Sequence, residues 1–149
     1  MREIKYGTGP NVYEKGVYSG YSYYITEGFL NPCAYVVVPK KIGKKENPLY
    51  KMSRSDMYFL PTHGGVTYKR DDFMFDKIDR KHFVIGWDYG HGMDFIYFDA
   101  QLVLEDSFFE EYNKGKHVWT GKEIREDVKR VIDALLEVEY EINGRDTKK

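Results

Sequence analysis

Hydrophobic and polar residues alternate with a period of two in several segments of the chain, which is the pattern of half-buried β-strands. Over residues 16–27 the alternation predicts one continuous strand. The β-branched run 33–38 predicts a buried strand that ends at Pro39, because proline has no N–H to donate to a neighbouring strand. Residues 82–88 predict the strongest strand of the chain.

Other segments give shorter or mixed signals. Extended structure is predicted for residues 57–60 and 66–68, and a polar, lysine-rich loop for residues 39–56. The charged segment 69–81 indicates a loop or a hairpin. The apolar segment 94–104 fits either a strand or a buried irregular segment, and the pattern does not decide between them.

Near the C-terminus the apolar spacing changes to that of a helix. Thr120 and Glu123 match a capping box, in which each side chain bonds a backbone N–H at the helix start. The spacing that follows predicts a helix over residues 121–142, and Asn143-Gly144 is a typical end signal. The apolar stripe consists of Ile124, Val128, Val131, Leu135, Val138 and Ile142.

These elements predict an α+β fold, a small antiparallel or mixed β-sheet with one long C-terminal helix packed on a face. The 149 residues fit a single domain. An irregular N-terminal segment is expected over residues 1–15 and a disordered tail over residues 145–149. The longest apolar runs are too short to span a membrane.

Composition narrows the class of protein further. Aromatic residues make up 17% of the chain, which excludes low-complexity disorder. The net charge of −1 gives no strong signal for nucleic-acid binding. Cys33 is the sole cysteine, which excludes a disulfide framework, and the N-terminal residues lack the pattern of a signal peptide. We therefore expect a cytoplasmic protein.

Charge is unevenly distributed along the chain. Residues 40–54 carry six basic side chains and one acid, and residues 99–112 carry five acids and no base. The simplest interpretation is two solvated loops. The alternatives are a basic loop near an anionic ligand, or a self-complementary contact between copies of the chain, which would make a homo-oligomer.

Two glycine-containing loops carry the candidate chemistry. The first is His63-Gly64-Gly65, followed closely by Tyr68. Paired glycines let backbone N–H groups approach a ligand or permit a positive φ, and a histidine exchanges protons or binds a metal. A strained turn with a hydrogen-bonded histidine explains the same residues equally well.

The second loop follows the 82–88 strand and combines two acids, a histidine, a tryptophan and two glycines. A loop that folds back on itself brings Asp88, His91 and Asp94 together at the end of a rigid sheet. The alternative is an Asx-type turn, in which the carboxylates cap loop amides. The candidate ligand-binding residues here are Trp87, Asp88, Gly90, His91, Gly92 and Asp94.

Two functions from different classes follow from the loops together. His63, Asp88, His91 and Asp94 form a two-histidine, two-carboxylate set that suits a divalent metal such as Zn, Mn or Fe(II), and hence a metal-dependent hydrolase. The other function is a binding protein that captures a small anionic, nucleotide-like ligand or another protein. We favour the binding protein, because no nucleophile, general base or complete ligand set is identifiable by spacing.

The pairing of the HGGVTY segment at 63–68 with the GWDYGHGMD segment at 86–94 resembles a family of small uncharacterised proteins that bacteriophages and prophages encode. In that family a valine-rich strand ending in proline, like residues 34–39, precedes the HGG loop, and a C-terminal helix closes the domain. Members carry a small pair such as Cys-Ala where this chain has Tyr89-Gly90. The resemblance implies an accessory protein that counters host defence in the host cytoplasm, with a host defence protein as a candidate partner, and implies no chemical activity.

Overall fold

The computed structural model describes residues 11–27, 31–90 and 119–147. Five strands form an antiparallel sheet, two more form a small separate sheet, and one long helix packs on a face of the larger sheet. This is the α+β architecture that the sequence predicts. In chain order the elements are β1 (Asn11–Tyr18), β2 (Tyr21–Glu27), β3 (Pro32–Pro39), β4 (Lys41–Ile42), β5 (Lys45–Glu46), α1 (Pro48–Lys51), a 3₁₀ helix (Ser55–Met57), β6 (Tyr68–Arg70), β7 (His82–Asp88) and α2 (Gly121–Thr147).

The larger sheet has the strand order β1-β2-β3-β7-β6. The strands predicted at 33–38 and 82–88 are confirmed as β3 and β7, and they pair with each other near the middle of the sheet. Extended structure after the HGG loop is confirmed in part, because β6 covers Tyr68–Arg70. The prediction for residues 94–104 lies outside the described residues.

The first predicted strand is in fact a β-hairpin. Ser19 and Gly20 have φ values of 48° and 85°, and these two residues turn the chain between β1 and β2. A two-residue loop with both φ values positive matches the twist of paired antiparallel strands. A single strand over residues 16–27 would place Val17 and Tyr21 on one face by its alternation, but Val17 pairs with Ser22 in the hairpin, so Val17 and Tyr21 lie on opposite faces.

The start of β1 and the end of α2 also differ from the prediction. β1 begins at Asn11, because residues 11–15 pair with β2 instead of forming irregular structure. The helix α2 begins where predicted but runs to Thr147. Gly144 does not take the left-handed φ of a helix cap, so the backbone of residues 145–147 is helical rather than a disordered tail.

The segment between β3 and β6 contains more local structure than a loop. The predicted loop over residues 39–56 includes β4, β5 and α1, and Asn47 caps α1 by accepting a hydrogen bond from the backbone N–H of Leu49. The extended segment predicted at 57–60 is wrong, because Met57 ends a 3₁₀ helix and turns follow it. Met57 and Leu60 are both buried, and a spacing of three residues places them on one side of a 3₁₀ turn.

Each face of the larger sheet carries its own apolar cluster. Neighbouring residues of a strand point to opposite faces, so Phe83, Ile85 and Trp87 of β7 face α2, whereas Val84 faces away from it. The helix-side cluster includes Ile25, Val36, Phe83, Ile85, Trp87, Tyr89, Ile124, Val128, Val131, Ile132 and Leu135. The opposite cluster includes Tyr24, Tyr35, Phe73 and Val84. Across the described ranges, no helix is both long and apolar enough to cross a lipid bilayer.

Glu14 joins the edge strand β1 to the first turns of α2. Its carboxylate accepts hydrogen bonds from the Tyr23 hydroxyl at 2.7 Å and from Arg125 Nε at 2.7 Å, and Arg125 Nη2 also donates to it. The Arg125 hydrogen bond is the largest effect on the pKa of Glu14 and lowers it below the ordinary value, although burial acts in the opposite direction.

We expect Glu14→Gln to lower the free energy of unfolding at neutral pH by about 1–3 kcal/mol, because charge-assisted hydrogen bonds are lost. A lowered pKa in the folded state means that this contribution is complete above the ordinary pKa of glutamate and is lost as the pH falls through the lowered value. In urea unfolding, the difference between wild type and variant should therefore shrink below about pH 4. Glu137→Gln, the same substitution at an exposed position on α2, is the control. A difference in unfolding free energy that does not change with pH would contradict a stabilising role of the Glu14 carboxylate.

Candidate functional site

The HGG loop lies beside the C-terminal end of β7. The backbone N–H of Thr67 donates to the Gly86 carbonyl at 3.0 Å, and Tyr68 then pairs with Gly86 in the sheet. Gly64 and Gly65 have φ values of 74° and 94°. A Cβ atom on Gly65 would meet no atom within 4 Å, so the backbone conformation rather than crowding requires glycine there. The predicted glycine turn is therefore present and open to solvent on that side.

His63 packs against two aromatic rings. Its imidazole is within 7° of parallel to the Tyr89 ring, with the ring centroids 5.0 Å apart. The Trp119 ring lies 4.7 Å from His63 and 4.8 Å from Tyr89, tilted against both. Stacked and tilted pairs at these distances are the favourable aromatic geometries. We call His63, Tyr89 and Trp119 the aromatic triad. Its His63 and Trp119 rings are half-buried, and its Tyr89 ring is fully buried.

A chain of buried hydrogen bonds fixes Tyr89 from the core side. The Trp87 indole N–H donates to the Tyr89 hydroxyl at 3.0 Å, and that hydroxyl donates to Asp127 Oδ2 on α2 at 2.8 Å. Arg130 also donates to the Asp127 carboxylate. Burial raises the pKa of Tyr89 far above its usual range, so the hydroxyl stays protonated and remains a donor. The end of β7 is thereby bound to the helix through one side chain.

The start of α2 adjoins the triad. The predicted capping box is confirmed: the Glu123 backbone N–H donates to Thr120 Oγ1 at 3.2 Å, and the Thr120 backbone N–H donates to Glu123 Oε1 at 3.2 Å. Trp119 directly precedes this cap, so the positive end of the helix dipole lies next to the triad. The Glu123 carboxylate offsets part of that positive field. The sequence indicated Trp119 as a hydrophobic staple, and no local spacing signalled its contact with His63.

Asp88 faces away from the triad. It lies between Trp87 and Tyr89, whose side chains both belong to the helix-side cluster, and neighbouring residues of an extended chain alternate in direction. Asp88 Oδ2 accepts a hydrogen bond from Thr67 Oγ1 at 3.3 Å, and Oδ1 accepts one from the Gly90 backbone N–H at 3.0 Å. The second bond is the Asx-type turn that was the alternative interpretation of this residue.

The neighbours of Asp88 place it on the second face of the sheet. Cys33 is its direct partner across β3 and β7. Burial, together with the smaller effect of the nearby Asp88 charge, raises the pKa of the Cys33 thiol to about 11. A Cβ atom at Gly90 would lie 2.6 Å from Asn31 Oδ1, so a larger residue there would require the Asn31 side chain to move. Asp88 thus shapes the turn after β7.

Among the other predicted ligand-binding residues, the structure describes Tyr68 and Trp87, and both pack in apolar clusters. Tyr68 packs its ring on Tyr35 at 5.1 Å in the cluster away from the helix. Trp87 is only 1% exposed, so its side chain belongs to the core and reaches the triad through Tyr89. His91, Gly92 and Asp94 lie outside the described residues, and their predicted roles stay predictions.

The structure does not bring the described residues of the predicted metal set together. Of its four residues, the structure describes His63 and Asp88, and these point to opposite sides of the end of β7. Among residues 11–27, 31–90 and 119–147, no group of three or more histidine, cysteine, aspartate or glutamate side chains is arranged to hold a metal ion. A metal site at this edge would depend on His91 and Asp94.

Comparison with known proteins finds no family model, curated protein or solved structure that matches the chain. The chemistry of the site is therefore argued from its geometry. The triad offers half-buried aromatic faces, and the turn at Gly64 and Gly65 offers backbone groups beside them. The Cys33 thiol is mostly protonated at neutral pH, which makes it a poor nucleophile. These features suit the binding of a ligand more than its covalent conversion.

We expect Tyr89→Phe to lower the free energy of unfolding by about 1–3 kcal/mol, because it leaves the buried Trp87 N–H and Asp127 carboxylate without their shared partner. The measurement is urea unfolding followed by circular dichroism. Tyr58→Phe is the matched control, since Tyr58 is 85% exposed, and it should change stability by less than about 0.5 kcal/mol. Equal stability of the two variants would show that the hydrogen-bond chain contributes nothing.

Proposed function

We propose that this protein binds a small, anionic, nucleotide-like ligand at the aromatic triad and the adjoining HGG turn. The observation that carries the proposal is the near-parallel stack of His63 on Tyr89 beside two glycines of positive φ. A flat heteroaromatic ring gains stacking energy on half-buried rings such as those of His63 and Trp119. Backbone amides of a glycine turn suit a phosphate group.

The fixed position of Tyr89 in the aromatic triad supports binding. Tyr89 is fixed by Trp87 and Asp127, so the ring under His63 does not have to be ordered when a ligand arrives. A preformed site avoids part of the entropy that binding otherwise costs. The metal-dependent hydrolase is the weaker proposal, because Asp88 bonds Thr67 and the Gly90 amide on the other side of the strand.

A cellular role follows from the resemblance to phage-encoded proteins. Such a protein, present in the cytoplasm of an infected cell, would weaken a defence system by sequestering its nucleotide signal. Capture predicts that the ligand is recovered chemically intact after the protein is denatured. Recovery of a cleaved product would instead indicate the hydrolase.

Tryptophan fluorescence tests the site directly, because Trp119 lies in the triad and Trp87 lies in the core. We expect one or more of AMP, GMP, CMP, UMP and cyclic di-AMP to quench the fluorescence saturably. The Trp119→Phe variant should lose the quenching while Trp87 still emits. His63→Ala should weaken binding about tenfold or more, since stacking contributes about 1–3 kcal/mol per base. Tyr58→Ala, which removes an exposed ring elsewhere, should leave binding unchanged.

Three results would contradict the proposal. Absence of quenching by every nucleotide would exclude a nucleotide site at Trp119. Equal affinity for adenosine and AMP would show that the site does not recognise the anionic group. Loss of binding in EDTA, with adenosine recovered after incubation with AMP, would favour the metal-dependent hydrolase. Each variant must first keep the wild-type melting temperature, because half-buried rings also contribute to stability.

A further inference from the structure

A second, strongly basic groove lies at the opposite end of β7. It has a volume of about 490 Å³, within the range of about 300–1,000 Å³ that is typical of small-molecule sites. Lys40 and Lys41 belong to the basic segment 40–54 that the sequence indicated. No sequence pattern indicated the basic pair Arg80-Lys81 that precedes β7. The residues that line the groove are Pro39, Lys40, Lys41, Gly43, Arg80, Lys81 and His82.

The pairing of β3 with β7 brings the basic residues together. Pro39 at the end of β3 is opposite His82 at the start of β7. Just beyond this pair, the Lys40 backbone N–H donates to the Lys81 carbonyl at 2.8 Å. The chain segments that carry Lys40-Lys41 and Arg80-Lys81 are therefore held side by side by backbone hydrogen bonds. Their spacing is set by the sheet rather than by flexible loops.

Not every basic side chain of this region is available to a ligand. Lys40 Nζ lies 5.0 Å from the centroid of the Tyr50 ring and 3.9 Å from Asp71, so it contributes to local packing. Lys69 donates to the carbonyls of Tyr50 and Met52 and holds the end of α1. The cations that remain exposed along the groove are Lys41, Arg80 and Lys81.

His82 adds an oriented hydrogen-bond donor or acceptor to these cations. Its Nδ1 bonds Asp79 Oδ1 at 2.7 Å, which fixes the ring, so Nε2 is the nitrogen that would bond a ligand. Asp79 is also the nearest acid along this segment; its carboxylate accepts a second hydrogen bond from the Lys81 backbone N–H, and its backbone carbonyl accepts one from the His82 N–H. The acids beside the groove are Asp71, Asp79 and Glu46, and Glu46 is opposite Lys41 in the β4–β5 pair and also lies 3.2 Å from Lys51. The four cations Lys40, Lys41, Arg80 and Lys81 still outnumber these three acids.

We infer that this groove binds the phosphate chain of an oligophosphate, such as inorganic tripolyphosphate or a nucleoside triphosphate. Three exposed cations on two fixed segments match a ligand with several anionic groups in a row. A nucleic-acid duplex is not the favoured ligand, because it requires an extended basic surface and the chain has a net charge of −1. His82 in the groove and Tyr89 in the aromatic triad are seven residue steps apart along the extended chain, which is roughly 23 Å.

Calorimetric titration with inorganic tripolyphosphate at constant low ionic strength tests the inference. We expect wild type to bind it and Lys41→Glu to weaken binding about tenfold or more, as for the loss of a charged hydrogen-bond partner. Lys77→Glu is the matched control, because it makes the same charge change at an exposed lysine outside the groove. Its effect should stay within about twofold, since screening limits distant charges.

Two further measurements distinguish the possible ligands and distinguish the groove from the aromatic triad. In a His63→Ala background, which weakens the proposed nucleotide site at the triad, ATP should lose affinity on Lys41→Glu by the same factor as tripolyphosphate if the groove recognises the phosphate chain. His63→Ala should not change tripolyphosphate binding, so failure of the triad proposal would leave this inference intact. No binding of tripolyphosphate by wild type would overturn the inference. Equal weakening by Lys41→Glu and Lys77→Glu would also overturn it, because the attraction would then be a diffuse field rather than a site.

Discussion

The hydrogen-bond chain from Trp87 through Tyr89 to Asp127 determines how the rest of the molecule is arranged around β7. A buried carboxylate, hydroxyl and indole N–H each need a partner, because an unsatisfied polar group in the core is costly. Here they satisfy one another at 3.0 Å and 2.8 Å, and in doing so they bind the end of the sheet to α2. The outer face of Tyr89 is the surface on which His63 stacks.

The alternation of β7 decides which residues share the candidate site. Trp87 and Tyr89 point toward α2, so the ring of Tyr89 meets His63 and Trp119. Asp88 points to the other face, where it meets Cys33 and Thr67. One step along the chain therefore separates the aromatic triad from a carboxylate that shapes a turn. The basic groove at the other end of β7 depends on the same strand through the pairing of Pro39 with His82.

Local patterns predicted the elements whose causes are local. The β-branched run of β3, the alternation of β7 and the capping box of α2 each depend on residues close together in the chain, and all three are present. The hairpin at Ser19-Gly20 was missed because its short turn interrupts a run of tyrosines without changing the hydrophobic pattern. The contact of His63 with Trp119 and the partnership of Tyr89 with Asp127 were not predictable, because tertiary packing alone brings these distant residues together.

The stacking of His63 on Tyr89 at the start of α2 is tested most directly by proton NMR. A ring proton above an aromatic face is shielded, so the C–H resonances of His63 should lie upfield of those of the other three histidines in the chain. The His63→Gln variant assigns these resonances. In Tyr89→Leu they should move toward ordinary histidine positions, with part of the shift retained from Trp119. Ordinary positions for His63 in the wild-type protein, unchanged in Tyr89→Leu, would contradict the stacked triad and the site built on it.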